Sequence, residues 1–406
     1  MSKLLRTLTT IILALLLTSA FIACDDGDGD GNGATVTGEF VYELETGTRE
    51  KEGGEEGETE EYEYYKITGY TVTSEDALKM AAGDFSSVTA TQRNIKIPAT
   101  YKGNPVEEIA SMAFSDQVIL QTVDFEKNSE GKYNLKKIGV GAFSGCTSLT
   151  EIKNLPFIGE SETAIGAERV LGHLFGSASA SDKNTKVTAK VYYEVEEADT
   201  TFNVPASLKK ISTTATVIPE CAFYGLTMLE EVAFDNATSI GKGAFSGCSV
   251  LFSAKLNKAE YVYDGAFENC TALQEVDFAG NTVLKYVGDG AFMGCSRLGY
   301  NFVLSDEQSL TVILPDSVEY LGTNAFNGCS SLKYVVVGSG VAEIKTGAFA
   351  DCSELVKVVI KNDAVTVRAS AFANLDEETV KIYKADGATL IDLASEIFGV
   401  ANDTQE

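Results

Sequence analysis

The stretch Ile138-Gly-Val-Gly-Ala142-Phe143-Ser-Gly-Cys146-Thr-Ser-Leu149-Thr-Glu-Ile152 recurs in varied form along this chain of 406 residues. Its Ala-Phe pair appears nine times, with phenylalanine at positions 114, 143, 223, 245, 267, 292, 326, 349 and 372. All gaps between these phenylalanines run from 22 to 34 residues, except one of 80. A period of this length predicts stacked structural repeats.

Each repeat keeps its apolar residues at fixed distances from its phenylalanine. A branched apolar residue stands five positions before the phenylalanine in every repeat, and leucine stands six positions after it in eight of the nine. A β-branched residue usually follows at plus nine and an apolar one at plus eleven, which is the period of a strand. The pattern predicts a β-rich α/β leucine-rich-repeat solenoid, with a parallel sheet on one face and short helical or irregular turns on the other.

Over residues 95–383 the repeats read Ile-x-x-x-Ala-Phe-x-x-Cys-x-x-Leu-x-x-Val-x-Leu. In this pattern the chain resembles the BspA-like leucine-rich-repeat surface-antigen family of bacterial lipoproteins. The resemblance implies an exported cell-surface protein that binds other macromolecules, in adhesion to host proteins or cells. The repeats themselves support only an extended binding surface.

Residues 1–23 are predicted to be a signal peptide, because Lys3 and Arg6 precede a short apolar segment. The segment ends in Phe21-Ile-Ala-Cys24, which resembles a lipobox, so Cys24 is expected to carry the lipid anchor. Phe21 stands where leucine is usual, and an ordinary secretory signal is the alternative. The acidic Gly/Asp tether of residues 24–37 resembles a surface-export signal, which favours a surface-exposed outer-membrane protein. Retention in the inner membrane stays open.

The ends of the repeat region are expected to be covered by atypical segments. Residues 38–94 are predicted to form an N-terminal β cap, a hairpin with an acidic loop over residues 46–61. The 80-residue gap is predicted to hold a degraded repeat with an excursion over residues 176–203. Residues 384–406 are predicted to form a C-terminal cap and tail, with a short amphipathic helix over residues 388–398.

The net charge of −27 argues against nucleic acid, because phosphate binding needs a basic face. Of the eight cysteines, six stand three positions after a repeat phenylalanine, at 146, 248, 270, 295, 329 and 352. Export allows disulfides. Leu226 and Leu375 occupy the same position in two other repeats, however, so we favour buried reduced thiols that fill core volume.

The sequence favours no enzyme, cofactor or metal. His173 is the only histidine and has no serine or cysteine signature beside it. Cys-x-x-Cys pairs of the zinc type are absent from the sequence. Pairs of neighbouring acids such as Glu230 and Glu231 are more simply explained as solvated surface.

The outward side chains of the predicted strands form a strip suited to binding. Acidic residues, including Glu275 and Asp277, dominate its first part, and it turns aromatic and apolar at Tyr300, Phe302, Tyr334 and Val336. These six residues are the candidate binding site. Asn301 falls on a position that should be buried, so the strand at 300–302 is the weakest assignment in this strip.

Two alternatives to protein binding stay open at this point. Tyr261, Tyr286 and Tyr320 stand six positions before phenylalanine in consecutive repeats, and rows of exposed tyrosine would suit a glycan-binding accessory lipoprotein. A structural envelope protein without a soluble ligand is the third interpretation. Tyrosine is also common on strand surfaces for packing alone.

Overall fold

Eleven short strands among the described residues, most of which follow a repeat leucine, form the first parallel ladder of the protein. The structure is a computed structural model that describes residues 39–51, 58–71, 93–157, 169–176, 187–192, 197–278, 280–299, 311–391 and 395–398. The signal peptide, Cys24 and the tether therefore lie outside the described residues. The first-ladder strands are β3 (Asn94–Ile97), β6 (Thr122–Phe125), β8 (Glu151–Lys153), β11 (Lys210–Ser212), β13 (Glu231–Ala233), β15 (Ser253–Lys255), β17 (Glu275–Asp277), β19 (Thr311–Ile313), β21 (Tyr334–Val337), β23 (Lys357–Ile360) and β25 (Lys381–Tyr383).

The first ladder consists of three sheets of hydrogen-bonded strands. One sheet has the order β13-β11-β8-β6-β3, the second pairs β15 with β17, and the third has the order β19-β21-β23-β25. Every neighbouring pair is parallel and in register, as between Val335 of β21 and Val358 of β23. The residue that sequence placed at plus nine points into the core, because side chains alternate along a strand.

The branched residues before each phenylalanine form a second parallel ladder. Its strands are β5 (Asn104–Ile109), β7 (Lys137–Ile138), β12 (Val217–Ile218), β14 (Ser239–Ile240), β16 (Tyr261–Val262), β18 (Tyr286–Val287), β20 (Tyr320–Leu321), β22 (Glu343–Ile344) and β24 (Thr366–Val367). The ladder consists of three runs of paired strands, β5-β7, β12-β14-β16-β18-β20 and β22-β24, and within each run the branched residues pair with their equivalents, as Val262 does with Val287. The branched residue is buried in eight of the nine repeats, and Val367 in β24 is half-buried.

A third row of hydrogen bonds runs through the Ala-Phe pairs. The backbone N–H of Phe245 donates to the carbonyl oxygen of Ala266 in the next repeat at 2.8 Å, and that of Phe326 donates to Ala348 at 2.9 Å. Repeats are therefore held to each other at three places. The spacing of about 4.8 Å between hydrogen-bonded strands also sets the distance between the side chains of neighbouring repeats.

The repeat phenylalanines stack face to face along the core. The ring centroids of Phe245 and Phe267 lie 5.0 Å apart with an interplanar angle of 4°, and those of Phe267 and Phe292 lie 5.3 Å apart at 2°. Both distances are close to the spacing between neighbouring strands within a ladder. The alanine before each ring is buried, so a larger side chain there would displace the stack.

The cysteines three positions after the rings form a row of reduced thiols. All seven described cysteines are buried and reduced, which confirms the sequence prediction for them. Six thiols also donate to the carbonyl oxygen of a repeat phenylalanine in the preceding repeat, as Cys270 does to Phe245 at 3.1 Å. Leucine at the same position can fill the volume but cannot make this hydrogen bond.

The N-terminal hairpin joins the second ladder. Strand β1 (Glu39–Glu50) pairs antiparallel with β2 (Thr59–Thr71), and β2 pairs parallel with β5. The short β4 (Thr100–Tyr101) pairs antiparallel with β5. A partly buried network holds the hairpin to the repeats, because Tyr62 donates to the carboxylate of Glu107 and Lys136 lies 3.2 Å from the same carboxylate.

The predicted acidic loop over residues 46–61 is wrong in extent, because both strands of the hairpin continue into it. Cross-strand ion pairs explain the longer strands: Arg49 lies 2.8 Å from Glu60, and Lys51 lies 2.6 Å from Glu58. These pairs bring opposite charges together across the hairpin and relieve part of the repulsion between its glutamates. Only residues 51–58 connect the two strands.

The excursion between Phe143 and Phe223 contains a second hairpin, in which β9 (Val187–Tyr192) pairs antiparallel with β10 (Glu197–Phe202). A 3₁₀ helix over Leu171–Phe175 belongs to the degraded repeat, and its phenylalanine is buried. The backbone N–H of Asn203 donates to the carbonyl oxygen of Gly176 at 3.1 Å, which closes the base of the excursion.

The predicted C-terminal helix over residues 388–398 is wrong in its first turn. Leu390 forms an antiparallel bridge with Tyr383, and the backbone N–H of Ile391 donates to Ile382. These bonds cover the edge of β25, and an exposed strand edge is costly to leave open. A 3₁₀ helix follows at Ser395–Phe398, where the carbonyl oxygen of Ile397 accepts from the N–H of Phe372.

Candidate functional site

The outward side chains of the first-ladder strands form a surface that we call the strand face. In β21, Tyr334 and Val336 are partly exposed and alternate with the buried Val335 and Val337. The same alternation appears in β23 and in β6. The strand face is therefore continuous within each sheet, as expected from the period of two.

The structure brings together only part of the predicted site. Tyr334 and Val336 lie on β21, while Glu275 and Asp277 lie on β17, which belongs to a different sheet of the first ladder. Glu275 is exposed. Tyr300 and Phe302 lie outside the described residues.

The repeat spacing from Phe292 predicted a strand at residues 300–302 beside β21, but the strand that pairs with β21 is β19. Thr311 of β19 pairs with Tyr334, and Ile313 pairs with Val336. The places expected for Tyr300 and Phe302 are therefore taken by Thr311 and Ile313. The segment between Phe292 and Phe326 is longer than in neighbouring repeats, and hydrogen bonding to β21 selects its later apolar run.

The sheet β19-β21-β23-β25 presents an apolar row that sequence reasoning recognised only in part. Its outward side chains are Ile313, Val336, Val359 and Tyr383, which pair in register from strand to strand. Ile313 is 44% exposed and the other three are half-buried. We call these four residues, together with Tyr334, Lys357 and Lys381, the C-terminal patch.

The C-terminal patch is cationic as well as apolar. Tyr334 pairs with Lys357, and Lys357 pairs with Lys381. The ammonium group of Lys357 also lies 5.3 Å from the ring centroid of Tyr383. No acidic residue occupies an outward position of these four strands, so the strands themselves present two lysines in a chain of net charge −27, although Asp376 interacts with Lys381 from outside them.

The N-terminal part of the strand face differs, because its charges neutralise one another. Lys210 lies 2.9 Å from Glu231, Lys153 lies 3.4 Å from Glu151, and the amide of Asn154 donates to Asp124. Exposed ion pairs of this kind contribute little to stability, because water and salt screen them. They leave little unpaired charge for a partner on this part of the face.

The tyrosines of the second ladder form a column of in-register rings. Tyr261, Tyr286 and Tyr320 pair along β16, β18 and β20. The rings of Tyr286 and Tyr320 stack at 4.5 Å with an interplanar angle of 8°. Tyr263 follows β16 and lies 5.7 Å from Tyr286. We call these four residues the tyrosine column.

The described residues contain no arrangement of side chains that is typical of a catalytic site. His173 is buried, and its Nε2 lies 3.0 Å from the carbonyl oxygen of Ile138, so it is a packed core residue. Within the described ranges, no three histidine, cysteine or acidic side chains are placed to hold a metal ion. In that same part of the chain, no helix is both long and apolar enough to cross a membrane.

Parallel strands of two to six residues in both ladders and one stacked core define a protein of the leucine-rich-repeat class. The BspA type leucine rich repeat region matches residues 62–167, 198–310 and 300–389, in 6 copies. The chain therefore belongs to the BspA-type leucine-rich repeat family.

Several solved structures are similar to this chain. A leucine-rich repeat protein from Bacteroides ovatus is 20% identical with a TM-score of 0.36, over 89% of this chain and 79% of its own. The leucine-rich repeat protein of T. pallidum is 22% identical with a TM-score of 0.31, over 64% and 90%. A leucine rich cell surface protein from Faecalibacterium prausnitzii is 19% identical with a TM-score of 0.32, over 79% and 72%. No curated protein matches the chain.

Proposed function

We propose that this protein is a lipid-anchored surface protein that binds macromolecules through its strand face, in adhesion to host proteins or cells. Leucine-rich repeats generally act as binding or scaffolding units. The single observation that carries the proposal is the C-terminal patch, where Ile313, Val336 and Val359 form one apolar row beside lysines. Apolar and aromatic side chains grouped at the centre of a surface are where binding energy concentrates.

The charge of the patch indicates the kind of protein segment that would fit it. Lys357 and Lys381 have no acidic neighbour at an outward position of β19, β21, β23 or β25. A segment that combines apolar side chains with carboxylates would bury the apolar row and pair with the lysines. Charge complementarity of this type raises association rates and selects the partner more than it raises affinity.

The glycan-binding alternative is less well supported by the tyrosine column. Sugars stack on open ring faces, whereas Tyr286 and Tyr320 stack on each other. The ammonium group of Lys345 lies over the ring of Tyr320, 4.0 Å from its centroid, and so covers more of that ring. A glycan array is the measurement that decides between this alternative and protein binding.

Replacing Tyr334 with alanine should weaken binding of a protein ligand by about 1–2 kcal/mol, roughly tenfold in Kd. The ligand is first identified from a panel of purified extracellular-matrix proteins, and affinity is then measured by biolayer interferometry. Thr122→Ala, on another sheet of the strand face, is the matched control and should bind as the wild type does. Equal losses in both variants, or a loss in neither, would place the site elsewhere.

Replacing Cys24 with serine should release the protein from the membrane, because the proposed acyl chains can no longer attach there. A multiply acylated cysteine holds a protein firmly, whereas the tether alone has no apolar side chain to insert between residues 25 and 33. Cell fractionation and detergent phase partition measure the change. Asp26→Ser keeps the cysteine and should remain in the membrane fraction. A Cys24→Ser protein that stays membrane-bound at the wild-type level would contradict lipidation at this residue.

A further inference from the structure

The outer edge of the N-terminal hairpin is a long strand edge to which no other described strand is hydrogen-bonded. Strand β1 ends the sheet order β1-β2-β5-β4, so its only strand neighbour is β2. The backbone N–H of Lys51 donates to the carbonyl oxygen of Glu58 at 2.9 Å, which fixes the residues of β1 that face β2. Because the direction of the backbone groups alternates along a strand, the even-numbered residues point their N–H and C=O groups away from β2. These residues are Tyr42, Leu44, Thr46, Thr48 and Glu50.

This edge can be reached by another strand along most of its length. Strand β1 has 12 residues and contains no proline, which is one of the residues that usually protect such edges. Leu44, Thr46 and Thr48 are exposed, and so are Arg49 and Lys51 near the end of the strand. A long, open edge of this kind is a template for pairing with another polypeptide.

The charges of β1 are arranged so that its edge is complementary to the same edge of a second copy. Glu43 and Glu45 precede Gly47, and Arg49 and Lys51 follow it, at the same distances on either side. All five residues share one side-chain face, because they are two positions apart. When two such strands run antiparallel with Gly47 opposite the partner's Gly47, Glu43 faces the partner's Lys51 and Glu45 faces the partner's Arg49. The two-fold axis repeats both ion pairs, and no like charges face each other.

These charges also select one register. The odd-numbered residues would form the non-hydrogen-bonded pairs of the new contact, in which opposing side chains are closest. A shift of two residues in either direction leaves each copy a single ion pair, between Glu43 and the partner's Arg49 or between Glu45 and the partner's Lys51. A shift of one residue places outward backbone groups opposite inward ones, so the hydrogen bonds cannot form.

The second strand of the hairpin extends the same pattern of charge. Lys51 lies 2.6 Å from Glu58, and Lys66 pairs in register with Glu43. A row across the four strands of two copies therefore reads Glu58, Lys51, the partner's Glu43 and the partner's Lys66, with alternating sign. A network of charges contributes more than isolated exposed ion pairs do.

We infer that the outer edge of β1 is the interface of a homodimer, in which two hairpins join into one four-stranded sheet with the order β2-β1-β1-β2. Leu44 pairs with the partner's Glu50 and Thr46 with the partner's Thr48, and these residues exchange backbone hydrogen bonds. The contact is isologous, because both copies use the same edge. The net charge of −27 on each copy opposes association at long range, but physiological salt screens that repulsion beyond about 8 Å. The interface is separate from the C-terminal patch on the strand face.

The first test is sedimentation velocity of the purified full chain near physiological salt. Protein concentrations should reach about 200 μM, since a contact between two strand edges is at the low end of interface sizes. The double variant Glu43→Lys, Glu45→Lys and the double variant Arg49→Glu, Lys51→Glu each turn every ion pair of the dimer into a like-charge pair. Each variant alone should raise the Kd of the dimer about tenfold or more.

An equimolar mixture of these two variants should dimerise as the wild type does, because every charged pair of the mixed dimer again has opposite signs. A folding defect in either variant would not be repaired by mixing. The control Asp235→Lys, Asp363→Lys makes the same change in net charge as Glu43→Lys, Glu45→Lys at exposed residues of other repeats, and it should not weaken the dimer.

Disulfide formation under mild oxidation tests the register without any change of charge. A mixture of Thr46→Cys and Thr48→Cys places two cysteines directly opposite each other, with their Cα atoms about 5.5 Å apart, which suits a disulfide. In either variant alone, the two cysteines are offset by two further residues along the strand, about 6.8 Å, which is too far. The mixture should therefore form linked dimers faster than either variant alone. The seven described native cysteines are buried, and the wild-type protein measures the background.

Three results would each overturn the inference. The first is a wild-type protein that stays monomeric at the highest concentration, as expected if the edge of β1 pairs with a strand of a different protein. The second is wild-type dimerisation in both charge variants. The third is equal disulfide formation in the mixture and in the single variants.

Discussion

Raising the pH from 8 to 10 should unfold this protein, because six buried thiols must stay protonated in the folded state. Burial raises the pKa of Cys146, Cys248 and Cys352 to about 12, and it raises the pKa of Cys270, Cys295 and Cys329 as well. An unfolded cysteine has a pKa of about 8.5. The folded protein therefore binds these protons more tightly than the unfolded chain does.

The sign of the effect follows from that difference in proton binding. Below pH about 8.5 both states hold the protons, and the thiols contribute their full stability. As the pH rises toward the folded pKa, the unfolded chain ionises and the folded protein does not, so the free energy of unfolding falls by about 1.4 kcal/mol per pH unit for each thiol. At pH 10 the loss is about 2 kcal/mol per thiol, on the order of 10 kcal/mol for six. Typical domains have a total stability of about 5–15 kcal/mol.

Urea unfolding between pH 7.5 and 10.5, with reductant present, measures this loss as a fall in the urea midpoint. A variant with Cys248→Ala, Cys270→Ala and Cys295→Ala is the control. It should be less stable at pH 7.5, by about 1 kcal/mol or slightly more for each cavity, but its stability should fall about half as steeply with pH. Equal pH slopes in the two proteins would show that the thiols do not cause the alkaline transition.

Replacing Phe267 with alanine should lower the free energy of unfolding by about 3–5 kcal/mol. The ring is fully buried and stacks on Phe245 at 5.0 Å and on Phe292 at 5.3 Å, so its removal leaves a cavity between two repeats. The ladders on either side prevent the neighbouring rings from closing that cavity. Because each repeat contacts only its neighbours, the loss also divides the stack at its centre.

Phe252→Ala is the matched control for this substitution, since the same atoms are removed from a side chain that is 51% exposed. It should change stability by no more than about 0.5 kcal/mol. Thermal and urea unfolding of both variants measure the difference. Comparable losses at the two positions would mean that the ring stack is not the main source of stability.

Much of the candidate site could not be predicted from the sequence, and the reason is the same at each place. Counting from Phe292 placed a strand at residues 300–302, but the strand beside β21 is Thr311–Ile313. Parallel pairing is selected by hydrogen bonds to the neighbouring strand, so the 34-residue gap between Phe292 and Phe326 shows that residues are inserted but does not show which segment pairs with β21. The sequence placed Tyr334, Val336 and Val359 on the outward strip, while Ile313 and Tyr383 were not grouped with them.

The sequence by itself determined the repeat, the residues of its core and the reduced state of its described cysteines. These follow from periodicity, because apolar residues at the same position of successive repeats pack against one another when the repeats stack. Only the tertiary structure decided which polar contacts each segment makes with its neighbours. The thiols donate to phenylalanine carbonyls one repeat away, Tyr320 receives Lys345 from the following repeat, and the hairpin strands reach Glu50 and Thr59 through cross-strand ion pairs. Such contacts join residues that are distant in the chain, so local spacing carries no record of them.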